Sequence, residues 1–152
     1  MKQKRIISLI GIYAVVMGSL MVAGWACSSF RTNPETGETE FSAEGAALDT
    51  RTLAIVAEEA IPVWQETSPE VAEQLAGIAA KLNQLAVVFD SIAEGGEIDP
   101  TQYINTLLAA LDSLNQQFTD DPETRQRLSA TIATISIGLR VYQLRYQQTQ
   151  EG

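Results

Sequence analysis

The 152-residue chain contains no histidine. That absence removes the commonest general base at neutral pH and the commonest metal ligand. There is one cysteine, Cys27. No intramolecular disulfide can form, so the core has to hold by packing alone. The chain has no Gly-x-Ser-x-Gly elbow, and its one thiol closes an apolar run, which leaves no activated nucleophile. Gly95-Gly96 is not followed by Lys or Ser/Thr and makes no phosphate loop. A di-metal carboxylate site in a helical bundle needs Glu-x-x-His on two of its helices. Glu58 and Glu59 are instead adjacent, point in different directions on a helix, and read as solvated surface. Asp120-Asp121-Pro122-Glu123 reads as a helix start, since acidic groups suit the N-terminal dipole, and it lacks the spacing of a calcium loop. The expectation is a protein that is not an enzyme, with no catalytic residue, no metal site and no cofactor.

Positive charge is also scarce: 19 acidic residues face 10 basic ones, for a net charge of −9. Such a chain repels nucleic acid and the surface of anionic lipid. Segments 31–47, 48–67, 68–94 and 95–119 are each net acidic. The last segment, 120–152, is neutral and holds Arg125, Arg127, Arg140 and Arg145. Cross-helix complementarity on a solvated surface accounts for this distribution, each exposed pair contributing little.

What is present begins with the N-terminus. Lys2, Lys4 and Arg5 precede Ile6–Ala26, a run with no charged residue. The pattern is that of a signal peptide or a single membrane span, with the basic end on the cytoplasmic side and the remainder outside the inner membrane. About 20 apolar residues suffice to cross a bilayer, while a cleaved signal has an apolar region of roughly 7–15. Gly11, Gly18, Ser19 and Gly24 weaken the run as a permanent helix. Trp25 lies at its outer end, where interfacial aromatics sit.

Ala26-Cys27-Ser28-Ser29 resembles the lipobox of bacterial lipoproteins, although Gly24 and Trp25 depart from its usual small residue and Leu. The resemblance covers roughly the first 30 residues. It implies that Cys27 is the lipidated first residue of the mature chain, and that the serine after it accompanies outer-membrane sorting. An uncleaved span and ordinary cleavage after Ala26 remain as alternatives. The segment NPETGETEF, residues 33–41, looks like the stretch after the lipidated cysteine in lipoproteins of a zinc metallopeptidase family. That family needs His-Glu-x-x-His, so no peptidase activity carries over.

Phe30 to Gly45 reads as a polar tether with turn signals at Asn33-Pro34 and Thr36-Gly37. Thr32 and Glu38–Phe41 are positioned to pair as a short hairpin. Four helices are predicted beyond it. The first runs from about Thr50 to Gln65 with Asp49 as N-cap, with Leu53, Val56, Ala60 and Val63 on its apolar face, and with a kink or end near Ile61 imposed by Pro62. The other three each start with an N-cap candidate followed by proline at N1: Ser68-Pro69, Asp99-Pro100 and Asp121-Pro122. Their apolar seams are Val71, Leu75, Ile78, Leu82, Leu85, Phe89 and Ile92; then Ile104, Leu107, Leu111, Leu114 and Phe118; then Leu128, Ile132, Ile135, Leu139, Tyr142 and Tyr146. These are coiled-coil-like heptad spacings. Gly95-Gly96 stops the second helix.

Short connections between long helices favour antiparallel neighbours. The expected fold is all-α: an antiparallel up-down-up-down four-helix bundle over residues 48–152. It follows a signal or anchor helix at 1–27 and a polar linker at 28–47. Two helical hairpins that need a partner to close their core are the alternative.

The fourth helix carries a second, mostly apolar stripe beside its seam: Ala130, Thr134, Ile137, Val141 and Leu144, with Gly138 completing a set of small residues four apart. The bland account is core packing against two neighbours. The sharper one is a partner or self-association surface at Ile137, Val141 and Leu144, flanked by Arg140 and Arg145. Trp64 is expected to close one end of the bundle. The functional expectation is a membrane-tethered, non-enzymatic structural or interaction module on the periplasmic or outer side of a bacterial envelope, with no nucleic-acid partner. A phage-encoded envelope protein acting in lysis or exclusion of other phages, and a small-molecule-binding bundle, are the alternatives.

Overall fold

The computed structural model describes residues 30–32, 34–37, 39–117 and 122–151. Among these it has two short strands, β1 (Phe30–Thr32) and β2 (Thr39–Phe41). Four helices follow: α1 (Ala43–Gln65), α2 (Pro69–Ala93), α3 (Thr101–Gln117) and α4 (Pro122–Glu151). The strands pair antiparallel, with Phe30 opposite Phe41 and Thr32 opposite Thr39. The hairpin open to Thr32 and its partner strand therefore forms. The seam residue Phe118, the cap candidate Asp121, the Thr119-Asp120 connection and the anchor with Cys27 lie outside the described residues.

α1 starts at Ala43, seven residues before the position expected from sequence. Ser42 is its cap: the backbone N–H of Gly45 donates to Ser42 Oγ at 3.1 Å. Glu44 adds an acid to the first turn. Asp49 is consequently not an N-cap. It lies inside the helix and is only 4% exposed. Its neighbour Thr50, also buried, turns its hydroxyl back to the Ala46 carbonyl at 2.7 Å. Nor does the helix end at Ile61; it runs through Pro62 to Gln65. Its buried face is Ala46, Leu53, Ala57 and Trp64 with Ala47 and Ala54 beside them, whereas Val63 points outward at 66% exposure.

α1 and α2 lie closest together of all the helix pairs. The reason is in their small residues. Ala72, Ala79 and Ala86 recur every seven residues on α2 and are buried, as are Ala47 and Ala54 on α1. Methyl side chains let two helix backbones approach more closely than leucines do. The edge of this contact is marked by the Arg51–Asp90 ion pair and by Asn83 Nδ2 donating to Glu58 Oε1 at 3.4 Å. Gly95, with φ of +93°, supplies the left-handed residue after α2.

The larger side chains fill the space between this pair and α3 and α4. Leu75, Leu82, Leu85 and Phe89 of α2 are fully buried, as are Ile104, Leu107, Leu111 and Leu114 of α3 and Leu128, Ile135 and Leu139 of α4. The three heptad seams read from the sequence are thus the core, with Ile92 and Tyr146 half-buried at the end of theirs. α2 has the length and apolarity of a membrane span by composition, and its seam lies in this core. At Gly138 a Cβ would come within 2.8 Å of Leu53 Cδ1, the far end of a flexible side chain, which sets α4 beside α1 at this level.

Truncating Phe89 should be the costliest single core change, since its ring also joins the aromatic cluster described below. Phe89→Ala is expected to lower unfolding stability by about 3–5 kcal/mol, read from denaturant titration of helicity. A loss under about 1 kcal/mol would contradict the packing.

Candidate functional site

The described residues contain no group of three or more His, Cys, Asp or Glu side chains placed to hold a metal ion. Every buried side-chain N or O atom among them has a hydrogen-bond partner. Three features remain that bear on function: an aromatic cluster at one end, a polar groove on one side, and an apolar stripe on another.

The aromatic cluster joins the hairpin to the bundle. Phe41, at the end of β2, packs against Phe89 of α2 with ring centroids 6.0 Å apart, and edge-on against Tyr146 of α4 at 6.4 Å. Phe89 in turn meets Tyr142 edge-on at 5.9 Å. These separations suit the ring quadrupoles. Burial, and secondarily the negative charge of Asp99, push the Tyr146 hydroxyl above its usual pKa. Asp99 belongs to the same end. Its carboxylate accepts from the Thr101 backbone N–H at 2.9 Å at the start of α3. Bonds from the Thr101 hydroxyl and then this N–H hold its pKa below the usual carboxylate value. Asp99 thus caps α3 as expected, although the helix proper begins at Thr101.

The polar groove lies between α2 and α3. It is lined by Lys81, Gln84, Gln102, Tyr103 and Thr106, and encloses about 320 Å³. It is wide open, and Tyr103 is 42% exposed. A small-molecule pocket of this size normally closes apolar walls around its ligand; these walls mix amide, hydroxyl and ammonium groups with the apolar parts of their side chains and stay open to solvent.

The apolar stripe is the surface singled out on the fourth helix. Ile137 is 48% exposed and Leu144 is 61% exposed, while Val141 between them is half-buried. Arg140 and Arg145 are exposed beside them. The stripe is therefore not core; the core face of α4 is Leu128, Ile132, Ile135, Leu139 and Tyr142. Sequence inspection passed over a second stripe. On α1, Leu48 (58% exposed) and Ile55 (53% exposed) also stand seven residues apart and point outward. Their seven-residue spacing was a usable signal, hidden because the helix was expected to begin after Leu48. Glu58 and Glu59 are exposed, as expected for solvated surface, and Trp64 is buried at the end of α1 next to the turn into α2.

No protein-family model, curated protein or solved structure matches this chain.

The Asp99 cap makes a pH-dependent contribution of definite sign. A carboxyl with a lowered folded-state pKa stabilises above its unfolded value and loses that contribution as pH falls through the folded value. Asp99→Ala should therefore unfold earlier than wild type at pH 7. The two unfolding midpoints should converge below about pH 4. A gap that persists unchanged to pH 2 would remove the carboxylate from the account.

Proposed function

We propose that this chain is a membrane-tethered, non-enzymatic protein of the bacterial envelope whose helical bundle is an interaction module on the periplasmic or outer side. The observation that carries the reading is the uncharged run Ile6–Ala26 behind Lys2, Lys4 and Arg5, closed by Cys27. Lipidation of Cys27 is the preferred form of the tether, since a thiol at the membrane face is the strongest side-chain nucleophile for alkylation. An uncleaved span is the other form, and either holds the domain at a bilayer.

The interaction surface in this proposal is Ile137, Val141 and Leu144 with Arg140 and Arg145 at its side. Exposed apolar residues in a continuous stripe, bordered by charge, are the composition of a binding surface. The bundle is proposed to run up-down-up-down. Two sets of contacts support this. Moving seven residues forward on α1, from Arg51 to Glu58, moves the partner seven residues back on α2, from Asp90 to Asn83. Likewise Leu53 meets Gly138 while the earlier Phe41 meets the later Tyr146. The hairpin then brings the tether to the end of the bundle that holds the aromatic cluster.

Palmitate labelling with membrane fractionation tests the tether. Label on wild type that disappears in Cys27→Ala, together with a shortened mature chain, is the expected result. An unlabelled chain retaining Met1 in the membrane fraction would replace the lipid by a span. A wild-type chain found wholly in the soluble fraction would defeat the proposal. For the surface, Ile137→Glu should leave helicity intact and change the assembly state; a folded variant with unchanged assembly counts against it.

A further inference from the structure

We propose that the occupant of the apolar surface is a second copy of this chain, docked so that α1 of each copy lies against α4 of the other. This deepens the interaction surface proposed above and rests on that reading. The Leu53–Gly138 contact sets α1 and α4 side by side. Going round each helix at about 100° per residue from that contact, the core lies on one side and the outward stripe on the other. On α4 this stripe is Val141, Ile137 and Leu144; on α1 it is Val63, Leu48 and, further round, Ile55. With the two helices antiparallel, both stripes fall on the same outer face of the pair.

They are also level. From Leu53 back to Leu48 is five residues and from Gly138 on to Leu144 is six, so the two leucines stand at one height. Ile55 and Ile137 stand at another, roughly 10 Å away along the axis. The face has about the length of α1, roughly 35 Å, and the width of two helices, roughly 20 Å. That is on the order of 700 Å² per copy, close to the roughly 800 Å² per partner of a standard stable interface. Leu48, Ile55, Val63, Ile137 and Leu144 are the exposed large apolar side chains of this face.

Charge selects the pairing. By the same count Glu59 falls within the α1 stripe, and Arg140 borders that of α4. Stacking α4 on α4 would set the Arg140 side chains of the two copies at one level, whereas α1 on the partner's α4 holds them apart. A two-fold axis along the helices achieves this pairing. It places the level Leu48 of one copy opposite Leu144 of the other, and it leaves both hairpins at the same end. Two chains tethered to one membrane can associate only in such an arrangement, so the geometry of the face and that of the tether agree.

Cross-linking of the full-length chain in membranes tests this. Two differently tagged copies are co-expressed, one with Leu48→Cys and one with Leu144→Cys, with wild type as the baseline for Cys27. A doubly tagged cross-linked species well above that baseline is expected for this mixture and not for two Leu144→Cys copies. Adding Ile137→Glu to both should weaken association by about thirtyfold or more, with helicity by circular dichroism unchanged. Equal cross-linking in both mixtures, or none when both tags sit in the membrane fraction, overturns the proposal. A photoreactive residue at position 137 that captures only a protein of different mass also overturns the second copy, while leaving the interaction surface itself standing. Recovery of wild type in the soluble fraction instead removes the tether on which the parent reading depends.

Discussion

The close approach of α1 and α2 is the constraint on which the other packing depends. Alanine at Ala47, Ala54, Ala72, Ala79 and Ala86 lets the two backbones come together. This leaves the larger seam residues of α2 to point toward α3 and α4. Leu75, Leu82, Leu85 and Phe89 would otherwise be needed between the first two helices. A chain without disulfides has few other ways to gain rigidity, and a closely packed helical hairpin supplies it through many short contacts. α4 comes in against this hairpin with Gly138 opposite Leu53 of α1 and Tyr142 against Phe89 of α2.

The aromatic cluster extends that core to the segment that precedes α1. Phe41 touches both Phe89 and Tyr146, and so binds the end of the hairpin to two helices at once. Ser42, the next residue, caps α1. The last residues of the supposed linker are therefore part of the folded unit. Where a domain is tied to a membrane through such a segment, the ordered stretch near the tether also governs how the domain is presented. A hairpin clamped between helices presents it in a defined orientation, which a free polar tether does not.

Exposed apolar side chains stand on α1 and α4 and also on α2, where Val87 is 62% exposed. The polar groove of Lys81, Gln102 and Tyr103 lies on the α2–α3 side. The exposed apolar residues of α1 and α4 lie on the other pair. Ile137 and Leu144 are not among the buried core residues and stand about half in water. Burial of such residues against a protein surface returns what solvent exposure costs, about 25 cal/mol per Å². This is the physical basis for treating the α1–α4 face as an interface.

The sequence alone determined the helical class, the starts of α2 and α4 at Pro69 and Pro122, the Asp99 cap of α3, and the heptad seams of α2, α3 and α4 among the described residues, although Ser68 makes no side-chain cap bond. These are local matters: a proline at N1 and an apolar residue every three or four positions act within one or two turns. The described starts at Pro69 and Pro122 agree with this reading, and Asp99 caps α3 one residue further on. Tertiary structure decided the rest. A serine cap at Ser42 outcompeted the expected Asp49, because Gly45, Ala46 and Ala47 are buried and a buried helical turn is worth more than an exposed tether. Pro62 was tolerated inside α1 for the same reason: a helix held along its length by a neighbour survives the loss of one hydrogen bond. Whether the second apolar stripe on α4 is also core was undecidable from periodicity. Only the position of α1 at Gly138 turns one stripe inward and leaves Ile137 and Leu144 facing water.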